Sequence, residues 1–122
     1  MGKSAVVSTA VSEQNTAKTV GSGNLDVFST PMMIALMEQA ACECIAEGLE
    51  PGQTSVGTEI SVAHTAASPL GAVIMARAIV EEVNGRKIAF KVIAKDEAKE
   101  IGVGTHSRVI IDAEKFMGKL CK

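Results

Sequence analysis

The stretch from Ser29 to Gly48, STPMMIALMEQAACECIAEG, restricts the fold more than any other part of the chain. Ser29 or Thr30 can cap the free amides of a first helical turn, and Pro31 suits the first helical position. Gly48, followed by Pro51, marks a stop. Between these signals run strong helix formers with almost no polar interruption. Gln39, Glu43 and Glu47 fall four apart and form one narrow polar row, while most of the remaining circumference is apolar. Such a helix is covered by protein on most sides. Glu38 breaks the pattern, since it lies about 100° from the polar row, on the stripe of Ile34, Ala41 and Ile45. A carboxylate there costs free energy unless it is hydrogen-bonded. Either its stem carries the charge out to water, or it stands in a cleft for chemistry. Thr30 precedes it by two turns at nearly the same azimuth. The two are about 12 Å apart along the axis, so a ligand rather than a direct bond would have to join them.

Around this helix the chain reads mostly as strand. Residues 4–11 form a β-rich opening, and Glu13 to Val20 is short and polar. Gly21-Ser22-Gly23 is a turn, and Asn24 to Phe28 leads, extended, into the helix. Gln53 to Thr65 alternates, with Val56, Thr58, Ile60, Val62 and His64 on one side. On strict parity Ser55, Gly57, Glu59 and Ser61 take the other. A strand from Ala72 to Val83 meets Asn84-Gly85, a strong hairpin signal, and Lys87 to Lys95 returns. Gly102 to Ile111 is the last strand, after the charged turn Asp96 to Glu100, and Glu114 to Lys119 is a short tail. The pattern predicts one α+β domain over residues 1–122. A long central helix is wrapped by a curved antiparallel sheet, the hot-dog arrangement. One helix covers one face of such a sheet. Several strands are apolar on both parities, Ile74, Ala76 and Ala78 against Val73, Met75 and Ile79, which predicts a homodimer.

Composition narrows the function. The chain has 122 residues, net charge −2, no basic block, and three Phe as its only aromatic residues among Phe, Trp and Tyr. A nucleic-acid surface wants a positive field and stacking aromatics, so that class is excluded. No apolar run reaches transmembrane length, and no basic segment followed by an apolar run opens the chain. The expectation is a cytoplasmic protein that meets no membrane. Three cysteines cannot all pair within one chain, and the Cys42 and Cys44 thiols point roughly 200° apart on a helix, so none is assigned chemistry. Two histidines, His64 and His106, both fall in strands without metal-ligand spacing; no metal and no cofactor is expected. His64 ends an inward-facing row, and His106 reads as a half-exposed sheet residue.

Three ordered blocks, VGSGNLDVFSTPMMIALME, PGQTSVGTEISVAH and IGVGTHSR, resemble the hot-dog thioesterase family related to fluoroacetyl-coenzyme A thioesterase. The resemblance spans about Thr9 to Phe116. It implies an acyl-coenzyme A thioesterase, coenzyme A being part of the substrate, with Thr30, Glu38 and His64 as the catalytic set. It also implies that the Gly57 amide helps hold the thioester carbonyl and that Arg108 lines the same cleft. Phe28, Met33 and Met37 are the expected apolar lining for the acyl group, and Arg86, Lys87 and Lys91 are candidate cations for the coenzyme phosphates. The fluoroacetyl-specific enzyme carries bulky residues ahead of its core helix. Here that segment is Gly21-Ser22-Gly23-Asn24, which implies another short or medium acyl group. Two further classes fit the same cleft, a non-catalytic acyl-coenzyme A binding or sensing domain and a hot-dog enoyl-coenzyme A hydratase. The hydratase wants an Asp and His close together after the helix, and the chain has no such pair.

Overall fold

Ser29, not Thr30, caps the central helix. In the computed structural model, which describes residues 2–121, its side-chain oxygen accepts a hydrogen bond from the Met32 amide at 3.3 Å. Thr30 is thereby left with a free hydroxyl at the head of α2 (Thr30–Ile45), and Pro31 sits in the first turn. The helix tightens into a 3₁₀ turn, Ala46–Gly48, before the chain reverses. Its buried face carries Met33, Leu36, Met37, Ala40, Ala41, Cys44 and Ile45. Gln39, Glu43 and Glu47 are exposed, as their four-residue spacing predicts. Cys42 and Cys121 are exposed free thiols; Cys44 is buried, donates to the Lys3 carbonyl, and is pushed up in pKa by that burial.

The sheet consists of β1 (Ser4–Ala10), β2 (Gln53–His64), β3 (Val73–Asn84), β4 (Lys87–Lys95) and β5 (Glu100–Asp112). All pairings are antiparallel, in the order β1-β3-β4-β5-β2. The meander expected after the helix is therefore β3-β4-β5, closed at its hairpin by Asn84 paired with Lys87. β2 does not neighbour β3, but crosses to the far edge and pairs with β5. One face packs on α2 through Ile74, Ala76, Ala78 and Val80 of β3 and Ile88, Phe90, Val92 and Ala94 of β4, all buried. The opposite face keeps Val6, Val73 and Met75 exposed. A single-turn helix, α1 (Ala17–Val20), precedes α2, and α3 (Ala113–Leu120), capped by Asp112, makes the tail more regular than its sequence suggests. No helix among the described residues is long and apolar enough to cross a membrane.

A β-bulge at Thr58 interrupts the β2–β5 register between Gly57 and Glu59. An extra residue reverses the strand's parity. Strict alternation puts Gly57 and Ser55 opposite His64, but the bulge turns them to the same face as Ile60, Val62 and His64. On that face Ser55, Gly57, Ile60, Val62 and His64 lie across from Ile110, Arg108, His106, Gly104 and Gly102.

The turn before β5 is held by a buried carboxylate. Asp96 accepts hydrogen bonds from the Ala98 and Lys99 amides (2.8 and 2.9 Å), from Ser68 Oγ (2.9 Å) and from Lys99 Nζ (2.8 Å). The Ser68 carbonyl in turn accepts from the Phe28 amide at 2.9 Å, so this carboxylate ties the segment entering α2 to the β4–β5 turn. The Lys99 ammonium, aided by the amides, holds the Asp96 carboxyl well below the usual carboxylate range. A carboxylate depressed in the folded state contributes stability above its unfolded pKa of about 3.9, and that contribution is lost as pH falls. Asp96→Asn is expected to lower the Tm at neutral pH and to shrink the difference from the parent protein below about pH 4. Thermal melts of both proteins across that range check this; parallel curves would mean the carboxylate's charge contributes nothing.

Candidate functional site

Thr30 and His64 are 34 residues apart in the chain, yet Thr30 Oγ1 lies 2.7 Å from His64 Nδ1 in a hydrogen bond. The contact follows from two local choices. Ser29 takes the capping role, which frees the Thr30 hydroxyl, and β2 ends beside the head of α2 with His64 on its inward face. The other ring nitrogen, Nε2, is buried and has no hydrogen-bond partner within the chain. Burial pushes the His64 imidazole below its ordinary value, against an opposing contribution from the backbone at Ala66. A neutral ring with one nitrogen on a hydroxyl can serve as a base toward that hydroxyl. The pair opens on a cleft of about 330 Å³, also lined by Ser22, Val27, Phe28, Ala66 and Ala67. Apart from His64, Val27 and Phe28 its walls are made of small side chains. The head of α2, the positive end of its dipole, faces the same end of the molecule.

The second group is built where the Thr58 bulge turns the strand. Arg108 is buried, with 7% of its surface exposed, and each of its guanidinium nitrogens has a partner. Nε donates to Ser55 Oγ at 2.8 Å and Nη2 to the Ser55 carbonyl at 3.0 Å. Nη1 reaches Glu38 Oε2 at 3.4 Å and His106 Nε2 at 3.3 Å. A buried cation so surrounded keeps its charge at tolerable cost, because the acceptors replace its hydration. Glu38 remains 42% exposed at its side chain, so this carboxylate is anchored at one oxygen and open to solvent. Gly57 lies beneath it. A β-carbon at Gly57 would stand 2.9 Å from Glu38 Oε2 and 3.4 Å from Arg108 Nη1, so the absence of a side chain lets the carboxylate lie over the strand.

The residues singled out in the sequence thus fall into two groups, Thr30 with His64, and Glu38 with Gly57 and Arg108. Two turns of α2, about 12 Å, separate Glu38 from Thr30 within one chain. Phe28 lines the cleft beside Thr30. Met33 and Met37 do not. Both are fully buried, and Met33 Sδ lies 2.5 Å from where a β-carbon on Gly102 would be. Their helical azimuth points into the sheet, where they pack in the core. Arg86 and Lys87 stand at the β3–β4 hairpin, the end of the sheet away from His64 in the same chain. His106, read as half-exposed, is 2% exposed and belongs to the Arg108 network; its shared parity with Arg108 was the available signal. Ser55 was hidden by the bulge, which no spacing rule announces. Among the described residues no cluster of three His, Cys, Asp or Glu side chains could hold a metal.

Residues 11–114 match the family described as FlK, fluoroacetyl-CoA-specific thioesterase. The fluoroacetyl-CoA thioesterase of Streptantibioticus cattleyicolor is 45% identical over 95 residues, covering 78% of this chain and 68% of its own. The solved structure of fluoroacetyl-CoA thioesterase FlK superposes with a TM-score of 0.93 at 36% identity, covering 98% of this chain and 93% of that one. A thioesterase superfamily member from Thermus thermophilus gives a TM-score of 0.90 at 28% identity, with 98% and 88% covered.

The state of the His64 ring can be measured directly. Its carbon-bound ring protons, followed by NMR against pH, are expected to titrate below the ordinary imidazole value of about 6.5. A midpoint at or above that value would mean that burial does not disfavour the charged ring.

Proposed function

The chain belongs to the fluoroacetyl-CoA-specific thioesterase family of hot-dog proteins, and we propose from this that it hydrolyses a short or medium acyl-coenzyme A thioester to the free acid and coenzyme A. The observation that carries the reading is the 2.7 Å contact between Thr30 Oγ1 and His64 Nδ1 at the mouth of a small-walled cleft. Hydrolysis needs a proton acceptor for the attacking oxygen, a donor for the departing thiolate, and dipoles for the carbonyl oxygen. In this reading His64 takes the proton from water or from the Thr30 hydroxyl as the new C–O bond forms, and returns one to the thiolate as the C–S bond breaks. Glu38 orients or deprotonates the water. The Gly57 amide and the positive end of α2 stabilise the oxyanion.

Glu38 stands two turns along α2 from Thr30, and Gly57 stands seven residues back along β2 from His64, too far to act at the same chain's Thr30–His64 pair. A homodimer resolves this. β2 is an edge strand with β5 on one side only, and it holds the exposed Ile60. Antiparallel pairing of two copies of β2, centred on Ser61, would set Gly57 of the second copy across from His64 of the first, because the Thr58 bulge takes one step out of the count. The site would then join Thr30 and His64 from one copy to Glu38, Gly57 and Arg108 from the other. The acyl group enters a cleft whose approach is Gly21-Ser22-Gly23-Asn24 rather than a bulky lid, which supports acetyl, propionyl or somewhat longer groups over fluoroacetyl.

Glu38→Gln and His64→Ala are each expected to lower turnover by ~10² or more on the best substrate of an acyl-coenzyme A panel. Near-full turnover in both would remove the assignment. Thr30→Ser is expected to retain activity that Thr30→Ala loses. A large preference for fluoroacetyl over acetyl, by ~10³ in kcat/KM, would contradict the absence of a lid. Subunit exchange tests the shared site. Mixing Glu38→Gln with His64→Ala should restore up to about a quarter of the parent turnover, because half the dimers are mixed and each then has one intact site. No recovery after demonstrated exchange would place all the residues of a site in one chain.

A further inference from the structure

His106 is used at both ring nitrogens, and neither use belongs to the chemistry proposed above. Nδ1 lies 2.8 Å from the Glu59 carbonyl, an acceptor only, so Nδ1 carries the proton. Nε2 lies 3.3 Å from Arg108 Nη1, a donor only, so Nε2 presents its lone pair. The ring is 2% exposed and stacked on Phe90, with centroids 6.0 Å apart and planes inclined by 25°. A hydrophobic residue would fill such a place if packing were its only role. Instead the ring clasps the first residue after the Thr58 bulge with one nitrogen and the guanidinium with the other. Ser55 already occupies Nε and Nη2, so His106 completes the set of contacts that fixes the direction of Nη1. The Nη1 group is what holds Glu38 Oε2 over Gly57.

We propose that His106 is a positioning residue that sets the Glu38 carboxylate through Arg108. This rests on the reading of Glu38 as a catalytic group. A carboxylate held at one oxygen by a rigid cation keeps its second oxygen aimed at water or substrate. Small misplacements of such a group cost rate rather than affinity.

The expected signature separates three substitutions. His106→Asn can still donate to the Glu59 carbonyl but offers nothing to Arg108. His106→Gln can place an amide oxygen where Nε2 stands. His106→Phe keeps only the stacking on Phe90. Turnover on an acyl-coenzyme A should fall ~10-fold in the Asn and Phe variants with KM unchanged, and recover in the Gln variant. In a Glu38→Gln background the Asn substitution should cost nothing further. Equal turnover in the Asn and Gln variants, losses that follow the Tm, or full additivity with Glu38→Gln would each overturn the proposal while leaving Glu38 catalytic. If Glu38→Gln alone keeps full turnover, the catalytic reading falls and this proposal with it. A long-range proton–nitrogen NMR spectrum of the unaltered protein gives a readout independent of activity. It should show His106 protonated at Nδ1 and bare at Nε2, and the opposite tautomer would overturn the proposal.

Discussion

The close approach of α2 to the sheet is the constraint on which the rest depends. Ala76 and Ala78 of β3, Ala94 of β4 and Gly102 of β5 present almost no side-chain bulk to the helix. Met33 and Met37 fill the space so created, each fully buried, and burial of such a side chain stabilises by about 1.5–3 kcal/mol. Methionine suits the role because its unbranched chain adapts to an irregular gap. With the helix pressed down in this way, its head meets the end of β2 and its middle meets Arg108. Both groups of polar side chains are consequences of that one docking.

The two groups solve opposite electrostatic problems. At the head of α2, burial without a charged partner keeps the His64 imidazole neutral and its Nδ1 engaged with a hydroxyl. In the middle of the helix, a buried guanidinium keeps its charge because acceptors from three directions replace water. A neutral base and a fixed cation beside a carboxylate are complementary parts for acyl transfer. Within one chain they stand about 12 Å apart, and the dimer proposed above through the open edge of β2 would bring the group of one copy to that of the other.

The bulge at Thr58 links fold to site. Without the extra residue, Gly57 and Ser55 would face away from the helix, Arg108 would lose the acceptors for Nε and Nη2, and Glu38 would have no strand surface to lie against. Asp96 plays a comparable part at the cleft, since through Ser68 it fixes the segment that carries Phe28 and then Ser29 into the helix. Both devices act at a distance of several residues from the groups they place.

By itself the sequence determined the helix from its caps and apolar circumference, the β3–β4 hairpin from Asn84-Gly85, and the hot-dog arrangement from one buried helix followed by a meander. It also marked Glu38 as a misplaced carboxylate, because a charge on an apolar stripe must find a partner. These features are local or periodic, and local physics is legible along a chain. The tertiary structure alone decided that Ser29 rather than Thr30 is the cap, that Met33 and Met37 are core, that β2 crosses to pair with β5, and that Gly57 faces Glu38. Each of these turns on which of two feasible partners a group meets after the chain folds. A single inserted residue in a strand reverses every side chain beyond it; Gly57 inside the strand pattern is a local hint of a bulge, but whether and where the extra residue falls is decided by pairing with β5.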